Sequence, residues 1–281
     1  MSFKSSVLAI LIAWLPAAVL AEDGTNEWQF TVTPYLWLPT IEGTLNYELP
    51  PGGGGNPSVG VGPTDWLDLL NFAALVNGSA RKGKYSISSD LVYLSMSRNG
   101  DGRVVSVEGT IPGPGPIEIP VGVELALDSR TDLDGLQWSV DLGYELLRTD
   151  RSLLDVFVGA RYFDLDVSTR WSLSASITLP DGTVVLPADG TVSNGTALWD
   201  AIIGVRGQIG LGESRWSFPY RLDLGTGDSE STLNVAVGLS RQFGWGELLI
   251  AYRHLEYDEG PDGLLEGFSF SGPAVGARWT F

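Results

Sequence analysis

The feature that most restricts this chain is a strict alternation of apolar and polar side chains, running about ten residues at a time between turn residues. Leu136, Trp138, Val140, Leu142, Tyr144 and Leu146 share one face of such a segment, while Gln137, Ser139, Asp141, Gly143 and Glu145 share the other. A side-chain period of two means extended strand. The rhythm returns with Leu154, Val156, Val158, Ala160 and Tyr162 against Asp155, Gly159 and Arg161. It returns again with Trp199, Ala201, Ile203, Val205 and Ile209 against Asp200, Gly204, Arg206 and Gln208, and with Leu233, Val235, Val237 and Leu239 against Asn234, Ala236, Gly238 and Ser240. A soluble sheet would bury the apolar face in a core and wet the other. Here the polar face mixes both signs of charge with glycine, which suits a crowded interior and leaves the apolar face for lipid.

The breaks between these segments sort by length. Short turns are expected at 82–83, 149–152, 210–214 and 244–246, long loops at 40–70, 98–131 and 166–194, and shorter loops near 226–230 and 258–266. Membrane barrels have short periplasmic turns and longer outer loops, so the expected fold is an all-β, transmembrane, antiparallel up-and-down barrel of about 10 strands with both ends periplasmic. The count falls to about 8 if Pro219 keeps 216–224 out of the ladder. Loops 98–131 and 166–194 carry alternation of their own and are expected to extend their hairpins above the membrane, turning at 112–116 and 180–182. Thr64 ahead of Trp66, Leu69 and Leu70 is expected to cap a short amphipathic helix. Aromatic girdles are expected from Trp28, Trp216, Trp245 and Trp279 at the periplasmic edge, and from Tyr93, Trp199, Tyr257 and Phe268 at the outer edge.

At the start of the chain, Lys4 precedes an apolar run over 7–20 that stops at Ala21, before Glu22. This pattern predicts a cleavable secretory signal over 1–21 and a single barrel domain over 22–281. No later apolar stretch is long enough for a membrane helix. There is no cysteine, which removes disulfides, thiolate metal sites, cysteine catalysis and lipidated cysteine. The net charge of -17 argues against nucleic acid, because phosphate binding needs clustered Lys and Arg.

The inward register gathers charge of both signs: Arg81, Arg161, Arg206, Arg221, Arg253 and Arg278 with Asp90, Asp141, Glu145, Asp155, Asp200 and Asp223. An unpaired charge in a poorly hydrated interior costs several kcal/mol, so these residues are expected to form a lumen ion-pair network. A barrel of eight to ten strands is about wide enough for side chains to fill, which excludes a wide porin. Two roles remain. One is a structural or surface barrel with a largely filled lumen, and the other is a narrow channel for small polar solutes or ions.

Catalysis has little to build on. The single histidine, His254, has Glu256 two residues on, an acid–base spacing that a lipid- or peptide-hydrolysing enzyme would use. The His-x-Ser arrangement of barrel lipases and lipid A deacylases is absent, since position 256 is Glu, and His254 reads instead as an interfacial side chain. No catalytic residue, cofactor or resident metal is therefore expected. The acidic pairs Asp132/Asp134, Asp164/Asp166 and Asp258/Glu259 are candidate ligands for divalent cations bridging to lipopolysaccharide phosphates, although none completes a Ca²⁺ loop.

The last strand, residues 273–281 (PAVGARWTF), resembles the C-terminal assembly signal of outer-membrane barrel proteins: a terminal Phe281 preceded at alternate positions by Trp279, Ala277 and Val275. Residues 32–39 (VTPYLWLP), 219–225 (PYRLDLG) and 251–257 (AYRHLEY) are similar to segments of small Gram-negative outer-membrane β-barrel proteins of poorly characterised function. That resemblance spans most of the chain after the signal. It implies an outer-membrane location, surroundings of lipid and lipopolysaccharide, and the barrel-assembly machinery as a partner during biogenesis. It implies no activity.

Overall fold

The computed structural model describes residues 27–45, 58–62, 64, 67–100, 103–112, 118–179, 182–259 and 265–281. The expected signal over 1–21, residues 113–116 and 180–181 of the turns expected at 112–116 and 180–182, and Trp66 lie outside the described residues. Thr64 and Leu67 have helical geometry, and the chain is in strand by Leu70.

Ten antiparallel strands close into a barrel. In chain order the strands are β1 (Trp28–Trp37), β2 (Thr40–Leu45), β3 (Ser58–Val61), β4 (Leu70–Lys82), β5 (Tyr85–Asn99), β6 (Arg103–Pro112), β7 (Glu118–Arg148), β8 (Ser152–Leu179), β9 (Gly182–Gly210), β10 (Trp216–Gly227), β11 (Ser231–Phe243), β12 (Gly246–Asp258) and β13 (Leu265–Thr280). The wall runs β1-β4-β5-β7-β8-β9-β10-β11-β12-β13 and is closed by β1 against β13. At the seam the backbones of Phe30 and Phe281 exchange hydrogen bonds of 3.0 and 2.8 Å. β2 continues the line of β1 past the buried Pro39 and pairs with the far half of β13, while β3 adds to the edge of β2. β6 likewise continues β5 along β7.

Closure is what a membrane demands, because an open edge in lipid would leave a row of backbone groups without partners. The side chains agree with that solvent. Ile203 is 64% exposed while its neighbour Ile202 is 3% exposed, and Leu142, Val158, Leu224 and Ile250 also lie bare on the outer face. Each such side chain left in water forgoes about 1.5–3 kcal/mol of burial, and a contiguous band of them far exceeds what a soluble monomer displays. Val275, Trp279 and Phe281 lie on this outer face of β13, with Trp245 5.9 Å from Trp279 at the turn end.

Pro219 does not end its strand. It pairs with Gln208 of β9, and on the β11 side the register is the same before it (Ser217 with Ser240) and after it (Tyr220 with Val237). The missing N–H falls in a local gap of the ladder.

The wall is uneven in height. β7, β8 and β9 have 31, 28 and 29 residues, whereas β10, β11 and β12 have 12, 13 and 13. A transmembrane strand needs about 9–11 residues, so the long trio and β6 continue well beyond the apolar band. The segments expected as loops at 98–131 and 166–194 are thus largely strand, as their own alternation implied.

Two residues expected in the outer girdle belong elsewhere. Tyr257 and Phe268 point inward, with exposures of 0% and 3%, because each shares parity with lumen residues of its strand. The girdle on that level is made by Trp138, Tyr162 and Trp199, with Trp199 4.8 Å from Tyr162 and 6.4 Å from Trp138.

Candidate functional site

The lumen is divided along its axis into a charged belt and an apolar chamber. The belt begins near the short turns, where Arg278 of β13 pairs with Glu247 of β12 at 3.1 Å. Arg81 of β4 bridges Glu145 of β7, at 3.1 Å, and Asp155 of β8. Arg206 of β9 reaches Asp141 of β7 at 2.5 Å and Asp155 at 3.5 Å, and Arg221 of β10 reaches the same Asp141 at 3.0 Å and Asp223 at 2.7 Å. Both guanidiniums lie over the ring of Phe157, 5.2 and 4.3 Å from its centroid. Higher up, Arg161 of β8 donates to Asp223 and to the Thr232 hydroxyl. Arg253 of β12 then closes the belt, donating to Asp90 and Tyr35 at 3.0 Å, Asn234 at 3.1 Å and Gln137 at 3.0 Å, with its guanidinium 4.8 Å from the Trp37 ring.

Arg253 reaches across the barrel, from β12 to β5 and β7, while the other arginines tie together strands up to three places apart in the wall. Guanidinium has five donors in a fixed fork and no practical route to deprotonation, so one arginine can serve two carboxylates from different strands. Asp141, Asp155, Arg161 and Asp223 are almost wholly buried. A charge at that depth is tolerable because it is paired and hydrogen-bonded.

The structure pairs ten of the twelve lumen residues singled out from the sequence with one another, in two groups, and pairs an eleventh, Arg278, with Glu247. Asp200 stands apart. It is buried, but its carboxylate accepts from the backbone N–H of Ser229 at 3.0 Å and the Ser229 hydroxyl at 2.9 Å, tying down the β10–β11 turn instead of pairing with an arginine. Sequence reasoning put Gln137 and Asn234 on the inward face without a place in the network, and missed Glu247 and Tyr35, although those two also sit at inward parity, which was the available signal.

Above Arg253 the lining changes character. Trp37, Val92, Leu94, Met96, Phe163, Leu165, Leu198, Leu255, Tyr257 and Phe268 form one buried apolar cluster, with the Phe163 and Tyr257 rings 4.4 Å apart and tilted by 30°. Against it lies a cavity of about 270 Å³ whose lining includes Gln137 of the belt and, towards the extended end, Arg98 and Thr131.

On the outer surface His254 of β12 sits beside Ser271 of β13, its register partner. The Ser271 hydroxyl is 2.6 Å from His254 Nδ1, and His254 Nε2 is 3.3 Å from a Glu256 carboxylate oxygen. A serine, a histidine and a carboxylate are therefore in line, with the serine supplied from the neighbouring strand and so invisible to a search along one segment. An acyl-transfer site also needs donors for the developing oxyanion. Ser271 is engaged in ladder pairing on both sides, with His254 and with Thr40. Among the acidic pairs, Asp132 accepts from Arg130 and Arg170 at 3.0 and 2.9 Å, and Asp134 accepts from the Tyr93 hydroxyl at 3.3 Å. Among the described residues no group of three potential metal ligands comes together.

No family model matches the sequence, and neither does any curated protein. Among solved structures, the chain is similar to the outer membrane protease OmpT from Escherichia coli, at 12% identity over 93% of this chain and 99% of that one, with a TM-score of 0.50. It also aligns with the Pseudomonas putida toluene transporter TodX, at 13% identity over 92% and 90% of the two chains, with a TM-score of 0.30. The anion-selective porin from Comamonas acidovorans aligns at 8% identity over 91% and 100%, with a TM-score of 0.25. The likeness to OmpT is one of fold.

Proposed function

We propose that this chain is an outer-membrane barrel exported on its N-terminal signal, that the extended strands face the cell exterior, and that the lumen is shut by its arginine–carboxylate belt. On this reading the protein is a non-enzymatic surface element of the envelope, seated among lipid and lipopolysaccharide and inserted by the barrel-assembly machinery. The observation that carries it is the pairing inside the lumen of Arg206, Arg221, Arg161 and Arg253 with Asp141, Asp155, Asp223 and Asp90 from other strands. An open channel of this strand number would have to keep such groups hydrated and apart, whereas here they touch.

Planar-bilayer recording on refolded protein tests the closure. Folded wild-type protein is expected to give no discrete conductance steps. Steps that change when Arg206 or Asp141 is neutralised would instead establish the narrow channel.

A second reading is favoured by one contact, the line from Ser271 through His254 to Glu256. In it, Ser271 Oγ would attack a lipid ester carbonyl and pass its proton to His254 Nδ1, with Glu256 holding Nε2–H. That proton would go to the departing alcohol, and water would then release the acyl group and restore Ser271. Ester hydrolysis in mixed phospholipid micelles separates the two readings. We expect wild type to show none, and activity lost in Ser271→Ala would establish the enzyme.

A further inference from the structure

We infer that the apolar chamber at the extended end is a binding site for a small, neutral aromatic molecule carrying one carbonyl oxygen. The inference does not depend on whether the belt beneath conducts. It rests on the chamber's shape and on one unsatisfied amide.

Gln137 is 4% exposed and lines the chamber. Its Oε1 accepts a hydrogen bond of 3.0 Å from Arg253 Nη2. Guanidinium can only donate, so this contact fixes which end of the amide is oxygen, and Nε2 must face away from Arg253. Nε2 has no partner. A buried donor left in that state calls for an acceptor, and a guest in the adjoining chamber whose oxygen displaces the side-chain atoms covering Nε2 supplies one.

The rest of the lining defines the body of the ligand. Trp37, Phe163, Phe268 and Phe270 contribute rings, and Val92 and Leu165 aliphatic surface. Rings pack on rings at centroid distances of about 4.5–7 Å, in offset or edge-on geometry, which favours an aromatic guest. The cavity of about 270 Å³ holds roughly nine groups the size of a water molecule, at ~30 Å³ each. The guest is neutral because the cation at the floor, Arg253, is already engaged by Asp90, Tyr35, Asn234 and Gln137. At the depth of Gln137 a carboxylate would meet no unpaired charge, since the other cation of the lining, Arg98, lies towards the extended end.

Acetophenone and isopropylbenzene are matched probes, equal in heavy atoms and differing in the carbonyl. Binding is read by ligand-observed NMR on the full barrel in lipid nanodiscs, with empty discs as the control. Wild type is expected to bind acetophenone at least about tenfold more tightly than isopropylbenzene, the scale of one hydrogen bond. Gln137→Leu is expected to erase that preference while leaving isopropylbenzene binding in place. Gly135 lines the chamber, and a Cβ there meets Leu165 at an ordinary 3.8 Å, so Gly135→Phe is expected to fill the space and abolish binding of both probes in a barrel that still shifts on a heat-modifiability gel. No saturable binding above empty discs would overturn the site. Equal affinity for the two probes in wild type, or an undiminished preference in Gln137→Leu, would overturn the role of the amide and leave Nε2 to water. Should Gly135→Phe fail to fold, the Gln137→Leu comparison still decides.

Discussion

Asp141→Ala is expected to destabilise the folded barrel by about 3–5 kcal/mol, the usual cost of stripping one partner from a buried ionic cluster. Asp141 accepts from Arg206 at 2.5 Å and from Arg221 at 3.0 Å, with hardly any solvent contact. Without it, two guanidiniums stacked on the same Phe157 ring repel each other across a cavity. Each keeps a carboxylate elsewhere, Arg206 at Asp155 and Arg221 at Asp223, which limits the loss. Asp141→Asn retains an acceptor oxygen and should cost less. The measurement is the urea midpoint of the gel-shifted, folded band in detergent. An unchanged midpoint in Asp141→Ala would mean that water already solvates these groups, and would reopen the lumen to ion passage.

The second large effect comes from backbone proximity. A Cβ added to Gly159 of β8 would lie 2.2 Å from the carbonyl oxygen of Val140 and 2.7 Å from Asp141 Cα, both on β7. Those are main-chain atoms of the adjacent strand and cannot swing aside. Gly159→Val must therefore push β8 off β7 at the level of the belt, for an overpacking cost of about 1–3 kcal/mol and a visible loss of the folded band during refolding. Gly78 offers the control, since nothing lies within 4 Å of a Cβ there, and Gly78→Ala should refold as wild type does. Equal refolding yields for Gly159→Val and wild type would show that the strands are farther apart than described.

Much of this architecture was legible in the alternation of residues. Leu136 through Leu146 placed Asp141 inside and Trp138 outside with no tertiary information, and the same parity located every arginine of the belt. Parity fails where both faces are apolar. Around Leu91, Val92, Tyr93 and Leu94, and again at Tyr162 and Phe163, inward residues match the outward ones in chemistry, so the chamber left no pattern; Tyr257 and Phe268 passed for girdle aromatics on residue type alone, although Arg253 and Arg278 of the same strands gave their inward parity. Asp200 shows another limit: parity puts a carboxylate in the lumen without saying whether an arginine or a turn will claim it. Ser271 shows a third, because its contact with His254 depends on the register between two strands, which no single segment encodes.

The unequal heights of the wall give the molecule a direction. On one flank β6, β7, β8 and β9 stand as a parapet, and the outer margins of β6 and of the upper part of β9 carry no neighbouring strand among the described residues. On the other flank the rim drops to the turn after Gly227. Among the described residues the wall therefore stands high on one side of the chamber and low on the other. The bare margins of the parapet are where an extended segment of another polypeptide could zip on without disturbing the embedded wall.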